Sequence, residues 1–276
     1  MGPRTGTGPM DRAVPALIRE HTRMTTLWPS RRSVLLTTSG VLAFALAGCG
    51  SDVSDGSGGT AKGEGSDGGA SDNAGARTPV DAVDDATPTP PADGDRDIDR
   101  SVPYLELSAD SSGPVVDLLL DFRCPPCKGF MEMHREYIDG LVKDESVVLR
   151  IHPRPMLDAR RESTFSQNAA CAAAAIYAQD PALLMEFEHA MYAQQAPTGE
   201  DPDPTLSEII AIAQDCGADE TCVQQIVQRA YVPWTLEVVE PEAAALEVGT
   251  PTVIIDGTIW DGDWTQPGAL EKAVGV

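Results

Sequence analysis

The stretch that decides the fold is Leu118-Leu119-Leu120-Asp121-Phe122-Arg123-Cys124-Pro125-Pro126-Cys127-Lys128. Its first part is an apolar run with the length of a buried strand. Its second part places two cysteines, two residues apart, where a helix is expected to begin. That spacing lets the helical turn bring the two sulfur atoms within bonding distance. The strand followed by Cys-x-x-Cys therefore favours a redox-active pair of thiols over half of a zinc site or a structural disulfide.

The start of a helix gives the two cysteines different roles. Unpaired N–H groups and the positive end of the helix dipole stabilise a thiolate there, so Cys124 is expected to be the exposed nucleophile. Cys127 lies one turn further in and is expected to resolve the mixed disulfide or to close the internal one. Because Pro125 and Pro126 remove two N–H donors, we expect the pKa of Cys124 to stay above the ~3.5 extreme of such sites.

A zinc site would need a second pair of ligands at a similar spacing. The four histidines are scattered singly: His21, His134, His152 and His189. No metal site and no cofactor are therefore expected.

The composition excludes one class of partner. The 276 residues carry a net charge of -23 with a pI near 4.3, so the basic surface that binds nucleic acid is absent. We expect no nucleic-acid partner.

Residues 1–48 are interpreted as an N-terminal extension and signal peptide. Arg31-Arg32 precedes an uncharged run that is too short for a comfortable membrane span. The run ends in Leu46-Ala47-Gly48-Cys49, which resembles a bacterial lipobox in which Cys49 is lipidated. The arginine pair resembles a twin-arginine signal, although Val34 stands where an aromatic residue is common, so Sec export stays open. These features predict a domain anchored to the membrane by lipid on its extracytoplasmic face.

Residues 49–101 are interpreted as a disordered linker. From Gly50 to Arg100 the chain is dominated by small and polar residues, with 12 acidic and 4 basic side chains. Such a composition cannot bury enough apolar surface to offset the entropy of ordering, and its charge extends the chain.

The folded domain is predicted for residues 102–276. Strands are expected at Tyr104–Leu107, Val115–Phe122 and Val147–His152, with a helix from Pro125 to Gly140 between the last two. A helical block follows at about 157–240. Strand patterns then return around Asp256-Gly257, a hairpin signal, and Gln266–Val274 is predicted as the closing helix.

The order of these elements resembles the thioredoxin fold, and more closely its DsbA-like branch, an α/β fold with an inserted all-helical subdomain. Two motifs carry the resemblance: Asp121-Phe122-Arg123-Cys124-Pro125-Pro126-Cys127-Lys128, and Gly249-Thr250-Pro251-Thr252 about 125 residues later. The resemblance covers residues 102–276. It implies a cis proline at Pro251 that lies against the disulfide, and substrate binding by Thr250 and Pro251. Pro126 departs from the family, in which His or Tyr is more common.

The other cysteines have two possible pairings in an oxidising compartment. Cys171 bridges to Cys222, or Cys216 and Cys222 close a short loop. The resemblance favours the bridge from Cys171 to Cys222, because related proteins carry one across the helical region. One thiol is left over in either case.

These features predict an extracytoplasmic thiol-disulfide oxidoreductase that forms disulfides in exported proteins through Cys124 and Cys127. Such an oxidase needs a membrane redox partner that recycles its active site. Two alternatives stay open: a membrane-tethered reductase or isomerase, and a non-catalytic thioredoxin-fold binding module.

Overall fold

The structure, a computed structural model, describes residues 87–92, 94–108, 112–196 and 201–276. The predictions for residues 1–86, which include the signal, the lipidated Cys49 and most of the linker, lie outside the described residues.

A five-stranded mixed sheet forms the centre of the domain. Its strands are β1 (Leu105–Leu107), β2 (Val115–Leu120), β3 (Val148–Pro153), β4 (Thr252–Ile255) and β5 (Thr258–Ile259). The spatial order is β1-β3-β2-β4-β5. Strands β2 and β3 are parallel, as the strand-helix-strand pattern predicts, and the other neighbours are antiparallel.

Helices surround the sheet and fill the middle of the chain. They are α1 (Pro125–Lys143), α2 (Asp158–Arg161), α3 (Phe165–Gln179), α4 (Leu184–Ala193), α5 (Leu206–Asp215), α6 (Glu220–Val227), α7 (Val232–Trp234), α8 (Glu240–Ala244) and α9 (Ala269–Val274). A 3-10 turn, Pro181–Leu183, precedes α4, and a π-helical turn, Thr235–Val239, joins α7 to α8. The helices from α2 to α8 confirm the predicted helical insertion. The domain therefore has a thioredoxin fold of the DsbA-like type.

The alternation along β2 divides its side chains between two faces of the sheet. Val116, Leu118 and Leu120 join the main core, which also holds both cysteines of the motif and most of the helical insertion. Leu119 faces the other side, where it packs with Ile254 in a smaller cluster. The central strand is therefore buried on both faces, as its apolar run predicts.

Helix α1 ends later than predicted. Gly140 was expected to stop it, but the helix continues to Lys143. Glycine in a helix interior costs only about 1 kcal/mol relative to alanine. Leu141 continues the apolar stripe of the helix into the core and is 6% exposed. Packing of that side chain outweighs the local preference.

The folded domain also starts earlier than the predicted boundary at Val102. Ile98 is buried in the main core. The carbonyl of Arg96 accepts a hydrogen bond from Gln225 Nε2 at 2.8 Å, and its guanidinium forms an ion pair with Asp219. Arg100 stacks over the ring of Tyr231. These contacts attach this part of the predicted linker to α6 and the residues that flank it.

The hairpin agrees with its sequence signal, and helix α6 has a side-chain cap at its start. Asp256 and Gly257 both have positive φ angles, 48° and 75°, which is the geometry of a type I′ turn. Asp219 caps α6 by accepting from the backbone of Cys222. Among the described residues, none of the helices combines the length and the apolar composition that a membrane crossing needs.

Candidate active site

The two cysteines of the motif lie at the start of α1, directly after the central strand. Cys124 is the N-cap residue, and its carbonyl accepts from the backbone N–H of Cys127 at 3.0 Å. Pro125 and Pro126 occupy the first two helical positions and are exposed. Both cysteines are free thiols, so the structure corresponds to the dithiol form.

Cys124 is less accessible than the sequence predicts. Its relative exposure is 5%, against 0% for Cys127. The expectation of an exposed nucleophile is wrong in degree, because Thr250 covers the sulfur. The order of accessibility is as predicted, so an attacking group reaches Cys124 and not Cys127.

The second motif of the sequence meets the first in space. The thiol of Cys124 donates to the carbonyl oxygen of Thr250 at 3.3 Å, and the Thr250-Pro251 peptide bond is cis. The hydroxyl oxygen of Thr250 is buried and has no hydrogen-bond partner of good geometry. Residues about 125 positions apart in the sequence thus form one site around the Cys124 sulfur.

The surroundings move the pKa values of the two thiols in opposite directions. Hydrogen bonding by the Cys127 thiol is the largest effect and lowers the pKa of Cys124 to about 6; the Thr250 side chain adds to this against the cost of burial. Burial raises the pKa of Cys127 well above its ordinary value, and the neighbouring Cys124 raises it further. The arrangement supplies one thiolate at neutral pH and keeps the second thiol protonated. It also agrees with the expectation of a moderately lowered pKa above the extreme of such sites.

Alkylation of the reduced protein by iodoacetamide is expected to follow the ionisation of Cys124. Because the lowered pKa leaves the thiolate present above about pH 6, the rate should be half-maximal near that pH. Burial raises the pKa of Cys171 and Cys216 to about 11 and that of Cys222 to about 12. These thiols therefore stay largely protonated in this pH range and contribute little to the alkylation rate. The measurement is the alkylation rate between pH 4 and pH 10, followed by mass spectrometry.

The Cys127→Ala variant is the control for this titration. It removes the hydrogen bond that lowers the pKa of Cys124, so the midpoint should move upward. A wild-type midpoint at the ordinary cysteine value of about 8.5 contradicts the arrangement.

Asp121 joins the active-site turn to the helical insertion. Its Oδ1 accepts from the backbone N–H of Arg123 and from Ser166 Oγ, both at 2.8 Å, and its Oδ2 accepts from the backbone N–H of Leu157 at 2.9 Å. The residue is completely buried, and burial raises the pKa of its carboxyl to about 6. The negative charge of Asp121 also raises the pKa of Cys124 slightly. In the sequence Asp121 is part of the active-site motif, and no pattern there assigns it a role.

We expect Asp121→Asn to lower both the pKa of Cys124 and the stability of the fold. Removal of the negative charge favours the Cys124 thiolate. The amide NH₂ then meets a donor where a carboxylate oxygen accepted one, which costs about 1–3 kcal/mol. Alkylation between pH 4 and pH 8 and urea unfolding measure the two effects. An upward shift of the alkylation midpoint contradicts the assigned direction of the charge effect.

The C-terminal end of α4 holds the other side of the active-site turn. Gln195 Nε2 donates to the carbonyl oxygens of Phe122 at 2.7 Å and of Cys124 at 3.1 Å. Lys128 Nζ donates to the carbonyl oxygen of Tyr192 at 2.8 Å. The sequence contained no signal for Gln195, because a single glutamine after a helix has no distinctive pattern.

The three remaining described cysteines lie in the helical insertion. Cys171 is in α3 and Cys222 is in α6, two helices that pack together, and a charge on Cys171 affects Cys222. Cys216 follows α5, where the charges near its thiol are those of Glu186 and Asp215. All three are free thiols in this structure. The pairing of Cys171 with Cys222, or of Cys216 with Cys222, stays a prediction.

Residues 87–92, 94–108, 112–196 and 201–276 contain no cluster of three or more His, Cys, Asp or Glu side chains that could hold a metal ion. His152 Nε2 instead pairs with Asp117 at 2.9 Å across the neighbouring strands β3 and β2, and His134 Nε2 pairs with the carbonyl of Trp264 at 2.9 Å. Both histidines are 3% exposed, and the hydrogen bonds to these partners hold them in the interior.

A family model described as thioredoxin matches residues 109–274, which is more than half of the chain. The chain belongs to the thioredoxin family. The match spans the Cys-Pro-Pro-Cys helix, the helical insertion and the cis-proline loop in one continuous segment.

Several solved structures with the thioredoxin fold are similar to this chain over most of their own length. Oxidised DsbA of Mycobacterium tuberculosis has a TM-score of 0.54 and 25% identity, and the similarity covers 62% of this chain and 90% of that one. DsbG of the same organism, described as a disulfide bond oxidoreductase, has a TM-score of 0.54 and 24% identity over 63% and 88% of the two chains. MdbA of Actinomyces oris, described as a thiol-disulfide oxidoreductase, has a TM-score of 0.54 and 21% identity over 65% and 90%.

One curated relative of this chain is named as a protein kinase. The serine/threonine-protein kinase PknE of Mycobacterium tuberculosis is 27% identical over 172 residues, which is 58% of this chain and 29% of the kinase. The chain thus matches under a third of the length of the curated relatives. The comparison relates this thioredoxin-family domain to a segment of a larger protein.

Proposed function

We propose that this chain is a thiol-disulfide oxidoreductase that donates disulfides to exported proteins. Cys124 is the nucleophile and the atom attacked by substrate thiolates, and Cys127 is the resolving thiol. The observation that carries the proposal is the asymmetry of the pair. The pKa of the accessible thiol is lowered to about 6, and the pKa of the buried thiol is raised. The solved oxidoreductases that share the fold support the same chemistry.

The direction of the reaction follows from the thiolate. A lower pKa of the nucleophilic cysteine stabilises the dithiol form and makes the disulfide more oxidising. Thioredoxin, with a cysteine pKa of about 7, has a potential of about -270 mV, and DsbA, with about 3.5, has about -120 mV. A value of about 6 for Cys124 lies between these limits. We infer a potential above that of thioredoxin, which favours disulfide donation over reduction.

The substrate is proposed to be an extended segment of an unfolded exported protein that lies along the Thr250-Pro251 loop. In the dithiol form the Thr250 carbonyl accepts from Cys124. An extended substrate backbone pairs with such a loop in the manner of an added strand. Donation leaves Cys124 and Cys127 reduced, so a membrane redox partner is needed to restore the disulfide.

The location is proposed from the sequence of residues 30–49. A basic pair, an uncharged run and a lipobox-like end at Cys49 support export and lipid anchoring on the extracytoplasmic face. Labelling of the expressing cells with palmitate tests this. Label should enter the wild-type chain and be lost in the Cys49→Ala variant, and equal labelling of the two chains contradicts the anchor.

The test of the activity is the reduction potential of the pair in a soluble form that begins after Cys49. The protein is equilibrated in glutathione buffers, and its free thiols are trapped and counted. A potential between about -270 and -120 mV, together with oxidative refolding of a reduced disulfide-containing protein, supports the donor. A potential at or below about -270 mV favours the reductase alternative. No redox response of the Cys124 and Cys127 pair favours a binding module.

A further inference from the structure

Before it enters β1, the chain crosses the helical insertion at the place where two of its thiols are buried. Residues 94–101, the strap, contact α6 and the residues that flank it, and Ile98 joins the main core. The same part of the insertion holds Cys171 at 1% exposure and Cys222 at 0%. Neither of these thiols takes part in the proposed disulfide transfer.

One chain of contacts leads from the strap to Cys222. The guanidinium of Arg96 lies 2.5 Å from Oδ2 of Asp219. The other oxygen of this carboxylate, Oδ1, accepts from the backbone N–H of Cys222 at 2.9 Å and caps α6. Arg96 therefore pairs with the residue that fixes the first turn of α6, and Cys222 belongs to that turn.

A second chain of contacts leads from the strap to Cys171 through Tyr231. The guanidinium carbon of Arg100 lies 5.1 Å from the centre of the tyrosine ring, and the tyrosine hydroxyl donates to the carbonyl oxygen of Arg96 at 3.4 Å. The backbone N–H of the same tyrosine donates to the sulfur of Cys171 at 3.4 Å. Tyr231 thus contacts the strap with its side chain and the buried thiol with its backbone.

The charges of the two strap arginines reach one thiol each. Burial raises the pKa of Cys222 to about 12, the charge of Asp219 adds to this, and the charge of Arg96 opposes it. Burial raises the pKa of Cys171 to about 11, and the charge of Arg100 is one of the effects that oppose it. The electrostatic effects thus agree with the two chains of contacts.

The contacts of the strap allow it to leave the insertion while the rest of the domain stays folded. The side chains of the pair between Arg96 and Asp219 are 39% and 47% exposed, and exposed ion pairs are weak. Among the described residues of the strap, Ile98 alone belongs to the main core. A segment with so little buried apolar surface opens locally at a lower cost than global unfolding.

We propose that the strap is a gate for the thiols of Cys222 and Cys171, which become reactive towards external disulfides when residues 94–101 leave the insertion. The Cys222 thiolate then attacks one sulfur atom of the disulfide, a mixed disulfide forms, and the second sulfur atom leaves as a thiolate. Cys222 reacts first, because its contacts to the strap run through exposed side chains at the start of α6. The gate does not depend on the proposed disulfide transfer.

The test measures how fast each thiol of the reduced full-length chain is alkylated by iodoacetamide at about pH 8.5. Mass spectrometry after digestion assigns the label to individual cysteines. In the double variant Arg96→Gln with Arg100→Gln, we expect Cys222 to be labelled about 10-fold faster and Cys171 to change in the same direction.

The direction of the change separates a gate from a simple effect of charge. The two arginines oppose the raised pKa values of Cys222 and Cys171, so loss of their charge alone would favour the protonated thiols and slow the alkylation. Faster labelling therefore reports opening of the strap. Unchanged or slower labelling of Cys222 in the double variant overturns the proposal.

Cys216 is the internal reference in every sample. It follows α5, and the charges near its thiol are those of Glu186 and Asp215 rather than those of the strap. Its labelling should stay at the wild-type rate, because it reports opening of the insertion as a whole. Equal acceleration of Cys216 and Cys222 overturns the gate. Arg135→Gln, which removes an exposed arginine from α1, should leave all of these rates unchanged.

A variant without a change of charge tests the same gate independently. Ile98→Ala removes the apolar side chain that anchors the strap and should accelerate the labelling of Cys222 by at least about 10-fold, again with Cys216 unchanged. Urea unfolding of the same variant measures the stability of the whole domain. Labelling of Cys222 at the wild-type rate in Ile98→Ala overturns the proposal, and so does an acceleration that Cys216 shares.

Discussion

Replacement of Cys124 by serine is expected to abolish disulfide transfer, with a loss of at least about 10³-fold. Serine keeps the size of the side chain but is not ionised near neutral pH, so it supplies neither a nucleophile nor a sulfur that a substrate can attack. The accessible position of the pair then has no reactive group. Cys127 is 0% exposed and cannot take over the role of Cys124. The measurement is oxidative refolding of a reduced protein substrate.

The Cys127→Ser variant is the matched partner of this experiment, and the expected result is different. It keeps the nucleophile at Cys124 but removes the thiol that resolves the mixed disulfide. A covalent adduct with substrate should therefore accumulate, and mass spectrometry should place it on Cys124. The fold should tolerate both changes, because each exchanges one sulfur atom for an oxygen atom.

Full activity of Cys124→Ser contradicts the proposed enzyme. It favours the alternative of a binding module whose groove holds a partner and whose cysteines have no catalytic part. Adducts found on Cys127 in the wild type contradict the assignment of roles within the pair.

Replacement of Arg154 by alanine is expected to destabilise the domain by about 3 kcal/mol. Its side chain is 2% exposed and makes a bidentate pair with Glu240, at 3.0 Å from Nε and 2.9 Å from Nη2. Removal of one partner of a buried pair leaves the other charge without compensation and costs about 3–5 kcal/mol. Glu240 is 26% exposed, so water relieves part of this cost and the lower end applies. The melting temperature should fall by about 6–12 °C.

Arg154 also holds the loop that carries the cis proline. Its Nη1 donates to the carbonyl oxygen of Val248 at 2.9 Å, two residues before Thr250. Loss of this bond frees the loop that contains Thr250, whose carbonyl oxygen accepts a hydrogen bond from the Cys124 thiol. Because Thr250 helps to lower the pKa of Cys124, a displaced loop should raise that pKa, slow the alkylation of Cys124 near pH 6 and weaken its reaction with protein substrates, in addition to the loss of stability.

Two further variants test these separate effects of Arg154. Arg135 is 58% exposed and its nitrogen lies 3.7 Å from Asp139, so Arg135→Ala should change stability by less than about 1 kcal/mol. The double variant Arg154→Met with Glu240→Leu removes both charges and should recover most of the stability. It still lacks the bond to Val248, so its reactivity should stay altered. Complete recovery of reactivity in the double variant contradicts the positioning role.

Much of the site was readable from the sequence. Cys124 and Cys127 are separated by two residues at a point where a strand leads into a helix, so the local sequence is enough to predict that their sulfur atoms lie together and to assign them expected roles. Pro251 required the resemblance to the DsbA-like branch, since a Thr-Pro pair by itself has no distinctive meaning. The predicted end of α1 at Gly140 was wrong because a weak local preference was set against the packing of Leu141.

The sequence determined the fold class, the position of the thiol pair and the order of its motifs, because contiguous patterns of apolar residues, prolines and cysteines encode them locally. The tertiary structure alone decided how far Cys124 is covered, which donors surround Asp121, and that Gln195 and Arg154 hold the two loops of the site. It also decided that the buried carboxyl group of Glu188 has no hydrogen-bond partner. These properties depend on residues up to about 130 positions apart. Burial and the pairing of charges are set by everything that packs around a side chain, and no local pattern specifies that environment.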